Sequence, residues 1–129
     1  MEGNKLMLGD YVRLNVNNKA ARVLSISDSD ERGHHFFDLV TTDGYIYRRI
    51  ADHAISPILL GDVTISNATR HGNAYFLGGI VVQPADTDNC YWRVLSEGAA
   101  TTNRLDGIRY LHELQHAIRL FGGEKEVEL

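Results

Sequence analysis

At 129 residues, with 43% hydrophobic and 23% charged positions, the chain is long enough to bury a core without disulfide or metal staples. Its formal net charge of -4 removes the electrostatic basis for general nucleic-acid binding, which depends on neutralising phosphates. A single cysteine, Cys90, excludes an internal disulfide and a cysteine-rich zinc site, and no run approaches the roughly 18 apolar residues of a membrane span.

The opening "MEGNKLMLGDYVRLN" meets Gly9-Asp10 before any apolar run and reads as no signal peptide; a reduced, cytoplasmic setting is expected. Val12, Leu14 and Val16 then alternate with Tyr11, Arg13 and Asn15, the period of a half-buried strand. "AARVLSIS" is a second strand and the polar "DSDERGHH" a loop. "FFDLVTTDGYIYRRI" is the clearest hairpin, with Asp43-Gly44 offering the two positive-φ positions of a tight type I′ turn. "DHAISPI" ends this segment with Pro57, which cannot donate to a central ladder. Four or five short strands in so little chain, opened by Gly-Asp-x-Val, predict a small SH3-like N-terminal barrel over residues 1–57.

Residues 58–129 are expected to form an α+β unit on the same core. Leu59 to Ile65 fits a short helix or a strand, and Asn67 to Asn73 a loop. "GIVVQPADTDNCYWRVLS" reads as a second hairpin with a long polar loop. The only strong helix is expected from about Leu105 to Phe121, with Asn103 or Asp106 as N-cap and Gly122-Gly123 as the stop. The tail "EKEVEL" alternates acid with Val127 and Leu129 and predicts a short final edge strand. The fold class is therefore α+β.

Inside that helix His112-Glu113-Leu114-Gln115-His116 spells H-E-x-x-H, in zinc peptidases two imidazole ligands one turn apart with a general base between them. On a helical wheel Leu111, Leu114, Ala117, Ile118 and Phe121 share one side, and His112 and His116 fall opposite, beside Arg109 and Arg119. The pair is thus expected on the solvent face. Catalytic zinc takes three protein ligands and an open position, and the pattern that adds a glycine and a third histidine downstream meets Arg119 and Gly122 instead. Two flanking arginines repel a dication. The sequence reading assigns no catalytic residue, no metal and no cofactor, with a zinc-dependent hydrolase as the alternative.

"IRYLHELQHAIRLFGGEKEVEL", Ile55-Ser56-Pro57-Ile58-Leu59-Leu60 and Gly9-Asp10-Tyr11-Val12 together resemble an uncharacterised family of small bacterial and phage-borne proteins. Its members end in a Tyr-Val/Leu-His-Glu/Gln-Leu-Gln-His/Asn helix, a glycine and an acidic-apolar tail. The resemblance weakens between residues 61 and 103. Because that pattern admits glutamine at position 113 and asparagine at 116, it implies no metal chemistry there; it implies a phage or mobile-element origin and no specific activity.

Elsewhere the sequence offers little chemistry. Cys90 beside Tyr91-Trp92 reads as a small core residue, and Asp86, Asp88 and Asn89 lack the closing glutamate of a calcium loop. The most suggestive surface is in the barrel. With Val12, Leu14, Ile46 and Ile50 inward, Tyr11, Arg13, Tyr45, Tyr47 and Arg49 point outward. Tyrosine and arginine on adjacent strands are what small barrels use to grip peptides or stack bases. The expected role is a non-enzymatic binding or assembly protein with a protein or peptide partner and no membrane, and weak nucleic-acid binding through the barrel as a further alternative.

Overall fold

The computed structural model describes residues 6–27, 34–85, 91–97, 102–123 and 125–129. Cys90, the Asp86, Asp88 and Asn89 loop, and Glu124 lie outside them. The chain divides into two compact units, Met1–Ile58 and Leu59–Leu129.

The first unit is one curled, half-barrel antiparallel sheet. Its strands are β1 (Tyr11–Leu14), β2 (Ala20–Ile26), β3 (Phe36–Thr41), β4 (Ile46–Ala51) and β5 (Ile55–Ser56), ordered β4-β3-β2-β1-β5. Val12, Leu14, Ala21, Val23, Phe37, Leu39 and Ile55 are buried together with Leu6. Apart from Ala21, these are β-branched, aromatic and leucine side chains, and within β1, β2 and β3 they recur at every second position, which is what a pleated sheet with one packed face requires.

The curl has a local cause in two bulges, on β2 and β4, that flank β3. Between Val23 and Ser25 of β2, and again between the partners of Phe37 and Leu39 in β4, the register shifts. Both bulges face Asp38. Ser25 Oγ donates to Asp38 Oδ2 at 3.0 Å, and the Arg49 backbone N–H donates to Oδ1 at 2.9 Å. Arg49 itself stands in the left-handed region, at φ 56°. A bulge inserts an unpaired residue, bends its strand and increases local twist; two bulges against one residue concentrate that bend.

The second unit is an antiparallel meander of β6 (Thr69–His71), β7 (Ala74–Leu77), β8 (Ile80–Pro84), β9 (Trp92–Glu97) and β10 (Thr102–Ile108), in the order β10-β9-β8-β7-β6, followed by α1 (Leu111–Leu120). Leu77, Ile80, Val82, Val94, Leu111, Leu114 and Ile118 are among its buried residues.

Three expectations for this unit are corrected, the first being the Asn67 to Asn73 loop, within which Thr69–His71 forms strand β6 paired to β7. The stretch from Asn103 to Ile108 is strand, and the helix begins only after Tyr110. Asp106-Gly107 looks like a helix start, but Gly107 at φ 76° carries a bulge opposite β9, and Asp106 binds Arg93 Nε at 2.8 Å and Arg104. The tail is also not a strand. Asn67 holds it by side chain instead: its Oδ1 accepts from the Glu128 N–H at 3.0 Å and its Nδ2 donates to the Glu126 carbonyl at 2.6 Å, seating Val127 in the interior.

The helix ends as the double glycine requires. Gly123 N–H donates to the Ile118 carbonyl at 2.9 Å and Gly122 N–H to that of Arg119 at 3.1 Å, with Gly122 at φ 70°. That pair of bonds is the Schellman closure, which satisfies carbonyls a helix end leaves open.

Candidate functional site

The β3–β4 connection is a three-residue loop, not the two-residue type I′ turn the sequence led us to expect. Thr41 N–H donates to the Tyr45 carbonyl and Gly44 N–H to the Thr41 carbonyl, both at 3.0 Å. Gly44 alone in the loop has positive φ, at 89°, so this is the loop that closes with a left-handed glycine. The Thr41 hydroxyl donates to the Asp43 carboxylate. That bond, ahead of Lys19 Nζ at 3.6 Å, holds the Asp43 pKa below its usual value.

Two tyrosines follow with different duties. Tyr47 is half-buried, packs against the core of the first unit, and accepts a hydrogen bond at its hydroxyl from Asn17 Nδ2 at 3.1 Å. Tyr45 is 62% exposed, its ring centroid 4.7 Å from that of Tyr47 and tilted by 59°. Ile46, expected inward, is 45% exposed. The bulge explains the exchange. Because an extra residue sits opposite Asp38, Tyr47 and Ile50 both reach the core although three positions apart.

Within the bulge, Arg49 places its guanidinium 4.7 Å over the Phe36 ring, within cation–π range. Arg48 Nη1 lies 3.9 Å from Asp38 Oδ2. The Asp38 carboxyl is held below its usual pKa, first by the Arg49 backbone N–H, then by the Ser25 hydroxyl, with Arg48 adding charge.

Of the five residues expected to point outward on one binding face, Tyr45, Tyr47 and Arg49 belong to this hairpin, but Tyr47 turns its ring toward the core rather than outward. The other two are corrected. Tyr11 is 3% exposed, with Arg22 5.1 Å over its ring; its neighbour Val12 is buried too, so β1 is covered on both faces rather than half-solvated. Arg13 is half-buried on the same strand. Moreover β1 is separated from β4 by β2 and β3, a spacing of about 14 Å at three inter-strand steps, so the two strands are not adjacent.

The H-E-x-x-H helix also departs from expectation. His112 and His116 do share a face, their ring centroids 5.7 Å apart. His112, however, is buried rather than solvent-facing, and its ring stacks on Tyr110 at 5.9 Å with an interplanar angle of 12°. Gln115 is buried as well. Glu113 Oε1 accepts from the Tyr110 and Arg109 backbone N–H groups at 2.8 and 3.1 Å. The carboxylate therefore caps the helix start, where orphan donors and the helix dipole favour an anion. Among the described residues no three His, Cys, Asp or Glu side chains gather as a metal site would require.

Sequence reading missed Asp38, the organiser of the hairpin. Its signal was an acid inside the otherwise apolar "FFDLVT". Comparison with protein-family models, with curated proteins and with solved structures finds no match.

Proposed function

We propose that the chain is a non-enzymatic binding or assembly protein that engages an extended peptide segment of a partner through Tyr45 to Tyr47. The observation that supports this is the Tyr45 ring, 62% exposed yet already packed against a Tyr47 that the core and Asn17 hold. A large aromatic pre-ordered before contact loses little rotamer freedom on binding, which is why tyrosine recurs at binding hot spots. β4 is an edge strand, so a peptide can add to its backbone beside the tyrosines. The same reading takes the first unit as SH3-like, the setting as cytoplasmic and the origin as phage or mobile element.

The zinc-hydrolase reading is disfavoured by Glu113, whose carboxylate is engaged with two backbone donors. The nucleic-acid reading is disfavoured by the net charge of -4. The test is to pan a random peptide library on the immobilised full chain and on Tyr45→Ala. Peptides enriched by the parent and lost by the variant, at unchanged melting temperature, support the proposal. Equal enrichment by both proteins, or salt-sensitive binding of single-stranded DNA in place of peptides, overturns it.

A further inference from the structure

The second unit contains a cleft of about 210 Å³ that has no part in the hairpin site. It is lined by the 3-10 turn Leu60–Asp62 and the residues just after it, by Arg70 and Asn73, and by the rings of Tyr75 and Trp92. The volume is below the roughly 300–1,000 Å³ typical of drug-sized ligand sites, so the cleft fits a molecule of few heavy atoms.

Its two charges are the informative feature. Arg70 is fixed twice: its guanidinium lies 5.3 Å over the Tyr75 ring, and its Nε donates to the Gly72 carbonyl at 3.1 Å. Both contacts leave the two Nη nitrogens, the part of the fork that grips a carboxylate, unused among the described residues. Asp62 is exposed, and its carboxylate forms no ion pair within 4.0 Å among the described residues. Opposite charges lining one small cleft would ordinarily meet. Here Arg70 is held by Tyr75 and Gly72, Asp62 is set on a tight turn where its N–H binds the Leu59 carbonyl at 3.0 Å, and no ion pair within 4.0 Å joins the two.

We propose that this cleft binds a small zwitterion, an amino-carboxylate whose carboxylate takes the Arg70 Nη pair and whose ammonium takes Asp62. A simple anion would use only Arg70 and leave Asp62 repelling it. A cation would use only Asp62 and meet Arg70. A molecule carrying both charges satisfies both side chains and displaces the water that each otherwise holds. The buried Tyr75 and Trp92 rings, 3% and 5% exposed, supply a rigid floor rather than a pocket for a large apolar side chain. That limits the ligand to a short, compact skeleton.

Trp92 is the chain's one tryptophan, so its fluorescence and its indole N–H resonance come from a single residue that lines this cleft. The experiment titrates the full chain with glycine, β-alanine and 4-aminobutanoate, and with acetate and methylammonium as single-charge controls. A saturable change in the Trp92 signal with one chain length preferred, and the controls weaker, supports the proposal. Arg70→Gln and Asp62→Asn, both exposed positions, should keep the fold by circular dichroism and each weaken the preferred ligand about tenfold or more, the scale of a lost charged hydrogen bond. The proposal is overturned if no amino-carboxylate moves Trp92 up to about 10 mM, weaker than the millimolar end of the affinity scale. It is equally overturned if acetate or methylammonium binds as tightly, or if neither substitution changes the affinity.

Discussion

The two glycines that end α1 should respond to substitution for different reasons, and that difference tests the packing of the second unit. A Cβ built on Gly123 would lie 2.7 Å from Ile118 Cγ2 and 3.2 Å from the Ile118 carbonyl oxygen. The first distance lies well inside van der Waals contact. Cγ2 is also a branch methyl next to the backbone, so it cannot swing away as the end of a long side chain could. Gly123→Ala should therefore cost about 1–3 kcal/mol, the usual scale of overpacking. At Gly122 a Cβ meets nothing within 4 Å, but φ is 70°. There an alanine pays only the left-handed penalty, about 1–2 kcal/mol, and asparagine, which tolerates that region, should cost less. The discriminating variant is Ile118→Leu, which removes Cγ2 at nearly constant volume and should cost less than about 1.5 kcal/mol alone. Combined with Gly123→Ala it should recover much of the alanine penalty, a coupling that contacting residues show and distant ones do not. Urea unfolding followed by Trp92 fluorescence measures this, since Trp92 lies in the same unit. If Gly123→Ala changes stability by less than about 0.5 kcal/mol, as an ordinary surface substitution would, or if Ile118→Leu gives no recovery, Gly123 and Ile118 are not in close approach.

The tyrosines should separate by thermal melting: Tyr45→Ala should shift stability by no more than about 0.5 kcal/mol, whereas Tyr47→Ala, which empties a half-buried site against the core, should cost about 1–3 kcal/mol. Glu113→Ala should cost about 1 kcal/mol through the lost cap while Glu113→Gln retains most of it, and a chelator should leave both melting curves unmoved; a chelator-induced fall would show a metal contributing to the fold. Because the Asp38 carboxyl is lowered in the folded state, its contribution is complete above the unfolded value of about 3.9 and is lost as pH falls through the lower folded one. The stability gap between parent and Asp38→Asn, followed by urea midpoints from neutral to acid pH, should therefore be widest above that value and close on acidification; a gap constant to low pH would refute the assignment.

What was legible in the sequence was mostly what repeats with one period. Val12 and Leu14, the β3 run Phe37 and Leu39, and the stripe of Leu114 and Ile118 are all interior, as alternation and helical spacing imply. What misled was a single device used twice. A bulge turns a two-residue period into a spacing of three. Tyr47 and Ile50 share the core side of β4, so the residue expected inward, Ile46, is outside. Leu105 and Ile108 straddle the Asp106-Gly107 bulge of β10 with a separation that reads as helix, and an acid followed by glycine reads as a cap. Period alone cannot tell a bulged strand from a helical turn. Tyr11 was misplaced for another reason: alternation assumes one solvated face, and β1 has none to spare. The Glu113 role is legible in principle, since an acid at the third helical position is a capping signal, but a helix start read at Leu105 puts Glu113 mid-helix and hides it.

The opposed bulges at Asp38 also bear on how the first unit finds its strand register. In a sheet, a slip by one residue turns every side chain to the other face, and short strands with modest side chains offer little else to oppose it. Here β3 carries a carboxylate that must find a hydroxyl on one neighbour and a left-handed backbone N–H on the other. A slipped β4 would present Asp38 with an ordinary extended residue and no donor at the required place; a slipped β2 would remove Ser25. Asp38 thus works as a detent between two sliding rails, making the penalty for misalignment local and immediate rather than spread along the strand. Correct pairing of β2, β3 and β4 is then a three-strand event, checked at one residue near the middle of the central strand.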